Sequence, residues 1–319
     1  MPFLKGITVK KIIVKIASFT FVIGIVLLVG CRGVESKNRT GDDQGELTLN
    51  ITDAAIDDAD SVNITITGFK VKEVGNSTLI DVVLDNSETI DLLDYAGSKS
   101  EEILDKYSLP LGDYEAITLV LDESLSSISI NGSQYDLPIA TGAGAGLTVA
   151  INFTVEDDSD FDFTLDFDLR KSIVETTIDP LVRTFELKPF LRVVNTNKVA
   201  HIVGTVASSL VTQTACDNNG ISNSVGNVVY VFGGVGATIQ DYQGTSGDPI
   251  TSAIAEKNSN QGYDFTVGFL EPGTYVLAFT CDGTIDNLDE NDFNSMIFSD
   301  GDYEVKLTTG AIETVNIDN

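Results

Sequence analysis

The chain has 319 residues, with 48 Asp and Glu against 19 Lys and Arg and a formal charge of −29. A surface that acidic repels a polyphosphate backbone, which excludes nucleic-acid recognition by phosphate neutralisation, and it disfavours lying flat on an anionic bilayer. The length suits about two ordinary domains; there is one histidine, the 48 acids are too many for any carboxylate pair to stand out as catalytic, and no tryptophan is present for an aromatic ligand platform.

The first residues read as a targeting segment, to be set aside before fold reasoning. Lys5, Lys10, Lys11 and Lys15 give a positive start, no acid occurs before Glu35, and an apolar run leads from Ile16 to Gly30. That run is short of the roughly 20 apolar residues a membrane-spanning helix needs. Its end, Leu28-Val29-Gly30-Cys31, resembles the lipobox of bacterial lipoproteins. The resemblance implies cleavage after residue 30, acylation of the Cys31 thiol, and membrane attachment by several acyl chains, which is what makes such binding stable. In lipoproteins of double-membrane bacteria an Asp after the cysteine favours the inner membrane. Arg32 stands there instead, so the resemblance implies the outer membrane, with the body on the periplasmic side or at the cell surface. Cleavage would leave 15 Lys and Arg against all 48 acids.

Residues 31–46 are polar, charged and without an apolar period, and read as a flexible tether of roughly 20 Å r.m.s. span. From Leu47 short alternating runs begin. Val62, Ile64 and Ile66 form one. Phe161, Phe163, Leu165, Phe167 and Leu169 form another, whose intervening Asp162, Asp166 and Asp168 predict a strand with one face buried and the other acid-studded. Further strands are expected at Ile117–Leu121, Ser127–Ile130, Leu147–Val155 and Thr184–Val194. Ser98–Tyr107 is the one good helix candidate, with a serine cap, Glu101 and Glu102 in the first turn, and Ile103, Leu104 and Tyr107 on one side. Asn195–Lys198 interrupts the pattern and predicts a boundary between domains at 47–196 and 199–319. Beyond it strands are expected at Ile202–Val206, Val228–Phe232, Phe265–Phe269, Tyr275–Phe279, Tyr303–Leu307 and Ile312–Ile317. Many short strands with Gly-, Asn- and Asp-rich turns predict a mostly β chain of two β-sandwich-like domains.

One pattern occurs in both halves. Leu109-Pro110-Leu111-Gly112-Asp113-Tyr114 and Leu270-Glu271-Pro272-Gly273-Thr274-Tyr275 each precede a strand. Proline presets one turn torsion, glycine permits an unusual one, and the tyrosine can bond its hydroxyl back to the turn as in the tyrosine corner of sandwiches.

Residues 47 to about 194 resemble a family of bacterial lipoprotein domains known only as domain of unknown function, family 4382. The blocks are Leu47-Thr48-Leu49 into Thr52–Ala59, Ile90–Leu93, the Leu109–Tyr114 turn, Asp166–Ile173 and Leu187–Val194. The resemblance implies a β-rich exported domain and no activity. The second half is similar to prealbumin-like sandwich modules of the carboxypeptidase-regulatory kind, through Ile202–Val206, Val229–Phe232 and Phe265–Tyr275. That implies a support or a unit contacting protein or carbohydrate.

With Cys31 lipidated, Cys216 and Cys281 remain, and in an oxidising setting they are expected to pair as a disulfide. Their lack of neighbouring histidines disfavours a tetrahedral metal site. His201, next to the expected boundary, reads as a strand-edge residue. Gly142–Gly146 precedes a strand, whereas a phosphate cradle needs a helix, so it reads as a turn. Asp282, Asp286, Asp289, Glu290 and Asp292 crowd one loop, and Asp53, Asp57, Asp58 and Asp60 another. Hard oxygens on a loop suit calcium, although neither spacing matches the twelve-residue calcium loop and a solvated acidic loop is the plainer account. No other cofactor is expected. The reading is a non-catalytic, membrane-anchored lipoprotein acting in envelope or surface interaction, with an unidentified envelope protein or a glycan as partner. The rivals are an accessory or catalytic part of an envelope hydrolase, and a purely structural spacer.

Overall fold

The computed structural model describes residues 44–318 apart from 55, 58, 141–145, 177–181, 189, 212–225, 241, 243–244, 260–261, 284–297 and 299–302. The N-terminal half consists of β1 (Gln44–Ala54), β2 (Ser61–Glu73), β3 (Leu79–Asp91), β4 (Glu101–Pro110), β5 (Gly112–Leu121), β6 (Ser127–Ile130), β7 (Ser133–Asp136), β8 (Leu147–Val155), β9 (Asp160–Asp168), a single helical turn α1 (Leu169–Ser172), β10 (Ile173–Glu175), β11 (Phe185–Leu187) and β12 (Leu191–Asn195).

Two sheets share one core. The first runs β12-β9-β1-β4, with β1 and β9 parallel; the second runs β7-β6-β2-β5-β8, with β3 also paired to β2. Leu47, Leu49 and Ile51 of β1 and Phe163, Leu165 and Phe167 of β9 belong to the same buried cluster as Ile64, Ile66, Phe69, Ile117 and Leu119 of the other sheet. Strand alternation sends every second side chain into this layer. In β2 the alternation would carry Lys70 and Lys72 inward after Ile66, but the register shifts between Ile66 and Gly68 and puts Phe69 and Val71 in the core instead. A Cβ at Gly68 would stand 2.3 Å from the Val82 carbonyl oxygen, so the bulge requires glycine.

The C-terminal half consists of β13 (Ala200–Val206), a short helical turn α2 (Ser208–Val211), β14 (Val228–Gly233), β15 (Thr251–Ile254), β16 (Glu256–Lys257), β17 (Tyr263–Leu270), β18 (Gly273–Thr280), β19 (Tyr303–Leu307) and β20 (Ile312–Ile317). Its sheets run β16-β17-β13-β20, with β13 and β20 parallel, and β15-β14-β18-β19. Ile202, Val206, Val229, Val231, Phe265, Val267, Leu277 and Phe279 fill the layer they share. Among the described residues no sheet takes strands from both sides of Thr196–Lys198, a 3-10 turn capped by the Asn195 side chain. The protein is mostly β, as expected.

Both tyrosine corners form. Tyr114 donates its hydroxyl to the Pro110 carbonyl at 2.9 Å, and Tyr275 donates to the Glu271 carbonyl at 2.6 Å.

Four expectations need correction. In place of the helix expected over Ser98–Tyr107, residues 101–107 form the beginning of β4, antiparallel to β1 with Leu104 opposite Leu49. Register shifts beside Leu49 and a positive φ of 45° at Lys106 let the helix-like spacing of Ile103, Leu104 and Tyr107 lie on a strand. Pairing the open edge of β1 then outweighs a weak local propensity. The acid face of β9 is not solvated, because Thr164, Asp166 and Asp168 are buried. The expected strand Thr184–Val194 is split into β11, paired with β10, and β12, paired with β9. Finally β1 begins at Gln44, inside the stretch expected as tether.

Candidate functional site

Parallel pairing sets the C-terminal ends of β1 and β9 side by side, with Asp53 opposite Phe167 and Ala54 opposite Asp168. β12 runs antiparallel along the other edge of β9 and places Arg192 opposite Asp166. The Asp168 side chain caps α1 by accepting from the Lys171 backbone N–H at 3.3 Å, so Arg170 and Lys171 project from the same end of the sheet. Asp53, Asp166, Asp168, Arg170, Lys171 and Arg192 therefore gather at one corner, and it is strand pairing that brings Asp53 to the other five.

They are organised as ion pairs. Arg170 Nη2 donates to Asp57 Oδ2 at 2.6 Å, Lys171 Nζ lies 2.8 Å from Asp168 Oδ2, and Arg192 pairs with Asp166. Each cation also reaches a backbone carbonyl of the C-terminal half: Arg170 Nη1 to Gly283 at 2.8 Å, Lys171 Nζ to Pro249 at 2.7 Å and Arg192 Nη2 to Gly268 at 3.4 Å. Asp57 Oδ1 accepts from the Gly226 N–H, and Lys171 sits 5.6 Å above the Tyr242 ring, which meets Phe190 edge-on. The backbones close to touching distance beside this cluster, where a Cβ at Gly268 would fall 1.9 Å from the Gly97 carbonyl oxygen. Arg170 and Lys171 are each only 6 % exposed. Paired charges are the form in which buried charge is tolerated; the three pairs lie within the N-terminal half, and it is their bonds to Gly283, Pro249, Gly268 and Gly226 that reach the C-terminal half.

Asp53 stands apart. Its Oδ1 accepts the Leu169 N–H at 3.3 Å, while Oδ2 is buried without a hydrogen-bond partner. Ser252 Oγ, across the joint on β15, is likewise buried and unpartnered. Both residues line a crevice of about 350 Å³ whose walls include Asp166, Lys99, Glu256, Lys257 and Asp264. Burial, then the charges of Asp166 and Asp168, hold the Asp53 carboxyl well above the usual carboxylate range, against the pull of the Leu169 N–H and Arg170. Burial also raises Asp166, and Arg192 offsets part of that.

The residues singled out in the sequence fare differently. The acids weighed as a cation site near Asp53 diverge: Asp57 turns to Arg170, Asp60 accepts the Gly132 N–H at 2.7 Å, and Asp53 faces the crevice, while Asp58 lies outside the described residues. In the other acidic loop only Asp282 is described, its N–H bonded to Thr280 Oγ1 at 3.0 Å; Asp286, Asp289, Glu290 and Asp292 lie outside, as do Cys31, Cys216 and most of Gly142–Gly146. Cys281 follows β18 and packs against the core of its half. Among the described residues no group of three or more His, Cys, Asp or Glu is placed to hold a metal ion, and no helix is long and apolar enough to cross a membrane. His201 accepts the Phe269 N–H on Nδ1 at 3.3 Å and packs edge-on against its ring, and burial lowers its pKa. It is the second residue of β13, at the entry of the strand beside the Thr196–Lys198 boundary, and β13 lies between β17 and β20 in its sheet. Arg170, Lys171 and Arg192 were not singled out from the sequence as individual site residues. The available signal was three cations within and just after an acidic alternating run in a cation-poor chain.

No curated protein matches the chain. Among solved structures, it is similar to a candidate adhesin from Bacteroides ovatus (9% identity, 92% of this chain and 98% of that one, TM-score 0.23). It is also similar to the minor pilin GBS52 of Streptococcus agalactiae (12% identity, 85% and 94%, TM-score 0.18). A third likeness is to the fimbrial anchor protein Mfa2 of Porphyromonas gingivalis (8% identity, 80% and 82%, TM-score 0.18). Superpositions this loose carry no functional argument. The parallel β1–β9 pair, the Tyr114 corner and the Arg170–Asp57 pair all fall within residues 44–189, which match the family described as a domain of unknown function, DUF4382.

Proposed function

We propose that this is an exported lipoprotein, held at the outer membrane through acylated Cys31, whose domains at 47–196 and 199–319 act in envelope or surface contacts with a protein or glycan and without catalysis of their own. The observation that carries the reading is the N-terminal pattern of four lysines, an apolar run and Leu28-Val29-Gly30-Cys31. The body is compatible with it. Its conspicuous polar cluster is spent on joining the two halves, with three cations each held by a carboxylate and a backbone carbonyl, and that arrangement suits a rigid display element. The pairing of Cys216 with Cys281 belongs to the same proposal: it would close a loop of roughly 65 residues, worth about 4 kcal/mol by chain entropy, and thiol counting on the unfolded, unreduced chain should find none free apart from an unacylated Cys31.

Metabolic labelling with a fatty acid tests the anchor. Label should enter the parent and be lost from Cys31→Ser, and label retained by the variant would overturn the lipoprotein reading. Protease shaving of intact cells then separates a surface body, which is degraded, from a periplasmic one, which survives.

A further inference from the structure

We propose that the joint between the two halves is a proton-operated closure centred on Asp53: with Asp53 neutral the halves stay packed, and its ionisation loosens them. This goes beyond anchoring and display, and it rests on how charges are distributed at the corner. Among the described residues four carboxylates meet there, Asp53, Asp57, Asp166 and Asp168, with three cations, Arg170, Lys171 and Arg192. Each cation is matched to a different carboxylate, and Asp53 is the one left over. It is 3 % exposed and its Oδ2 has no hydrogen-bond partner.

The groups that face Asp53 come from every neighbouring element. Asp166 and Asp168 on β9 repel a second negative charge, and Arg170 on α1 attracts it but is committed to Asp57. Lys171 and Arg192 are held by Asp168 and Asp166. Lys99 ahead of β4, Glu256 and Lys257 on β16 and Asp264 on β17 line the crevice but are exposed, so water screens them. Among the described residues an ionised Asp53 would thus be a buried charge with no cation of its own, which a protein interior tolerates poorly. The carboxyl meets this by keeping its proton, consistent with the direction in which burial drives it.

The sign of the linkage follows. In the unfolded chain this carboxyl ionises near pH 4, whereas the closed joint retains its proton to higher pH. The native state then binds more protons than the unfolded one, so stability falls as pH rises from about 4 towards the folded value. His201 acts with the opposite sign, because its lowered pKa costs stability as pH falls through about 6.5. It is unchanged in an Asp53 variant, so the parent–variant difference isolates Asp53. Asp53→Asn keeps an oxygen for the Leu169 N–H and cannot ionise.

The test is thermal unfolding and amide hydrogen exchange of the full mature chain in detergent, parent and Asp53→Asn, between about pH 5 and pH 8.5. In the parent, protection at Leu169 and Thr251–Ala253, corrected for intrinsic exchange, should fall at least about tenfold across that range, while Ile117 and Leu119 keep theirs. In Asp53→Asn the joint amides should hold their protection and the melting temperature at high pH should exceed the parent's. Superimposable pH profiles for parent and variant would overturn the proposal. If the variant does not fold, carbon NMR of the Asp53 carboxyl in the parent decides: a midpoint in the ordinary range near pH 4 overturns it, and one well above that range supports it.

Discussion

The apolar layer between the sheets of the N-terminal half and the polar joint at the ends of β1, β9 and β12 are built from the same strands but stabilised by different means. The layer is redundant: Leu47, Ile64, Phe69, Ile117 and Leu165 all lie in one buried cluster, so no side chain there has a unique partner. The joint is discrete. Each of Arg170, Lys171 and Arg192 pairs with a different carboxylate and reaches a carbonyl of the other half, and losing a member leaves a named group buried without its counterpart. Damage to the first should therefore scale with the void created, and damage to the second with the charge stranded.

Truncations measured by urea unfolding would sharpen or break that contrast. The largest loss should come from Arg170→Ala, at about 3–5 kcal/mol, because Asp57 is left as an uncompensated buried charge. Leu165→Ala, at a fully buried position in the layer, should cost about 2–4 kcal/mol, the amount depending on how far the site collapses. Tyr275→Phe removes only the hydroxyl that closes the β17–β18 turn and should cost about 1 kcal/mol. If Leu165→Ala cost several times more than Arg170→Ala, the joint would be dispensable and the contrast would fail.

What could be read from the residues follows the same division. Alternation marked part of β2, β8 and β9, because one face of each meets an apolar layer and period 2 records that directly, while β14 and β18, buried on both faces, were marked by continuous apolar runs. The two Pro-Gly-Tyr turns were legible for a local reason, since all the atoms that make Tyr114 bond to Pro110 lie within five residues. The Ser98–Tyr107 segment was misread because its neighbour β1 is some 50 positions away, and only that ladder makes Glu101–Pro110 extended. The edge strand β3 was missed because its exposed positions break the apolar alternation. For the site, the polar face of β9 was visible as a pattern and misassigned as solvated. A run of Asp looks the same whether water or cations meet it, and the partners Gly226, Pro249, Gly268 and Gly283 contribute backbone atoms, which carry no sequence mark.

The most direct test of the joint is a double-mutant cycle on Asp57→Ala and Arg170→Ala, each scored by urea unfolding. The account expects the two changes to be strongly non-additive, with a coupling of about 2–3 kcal/mol, since the second truncation removes the charge that the first strands. Additive losses, with coupling near zero, would contradict the claim that the buried Arg170–Asp57 pair, whose two members also bond to Gly283 and Gly226 of the other half, organises the joint.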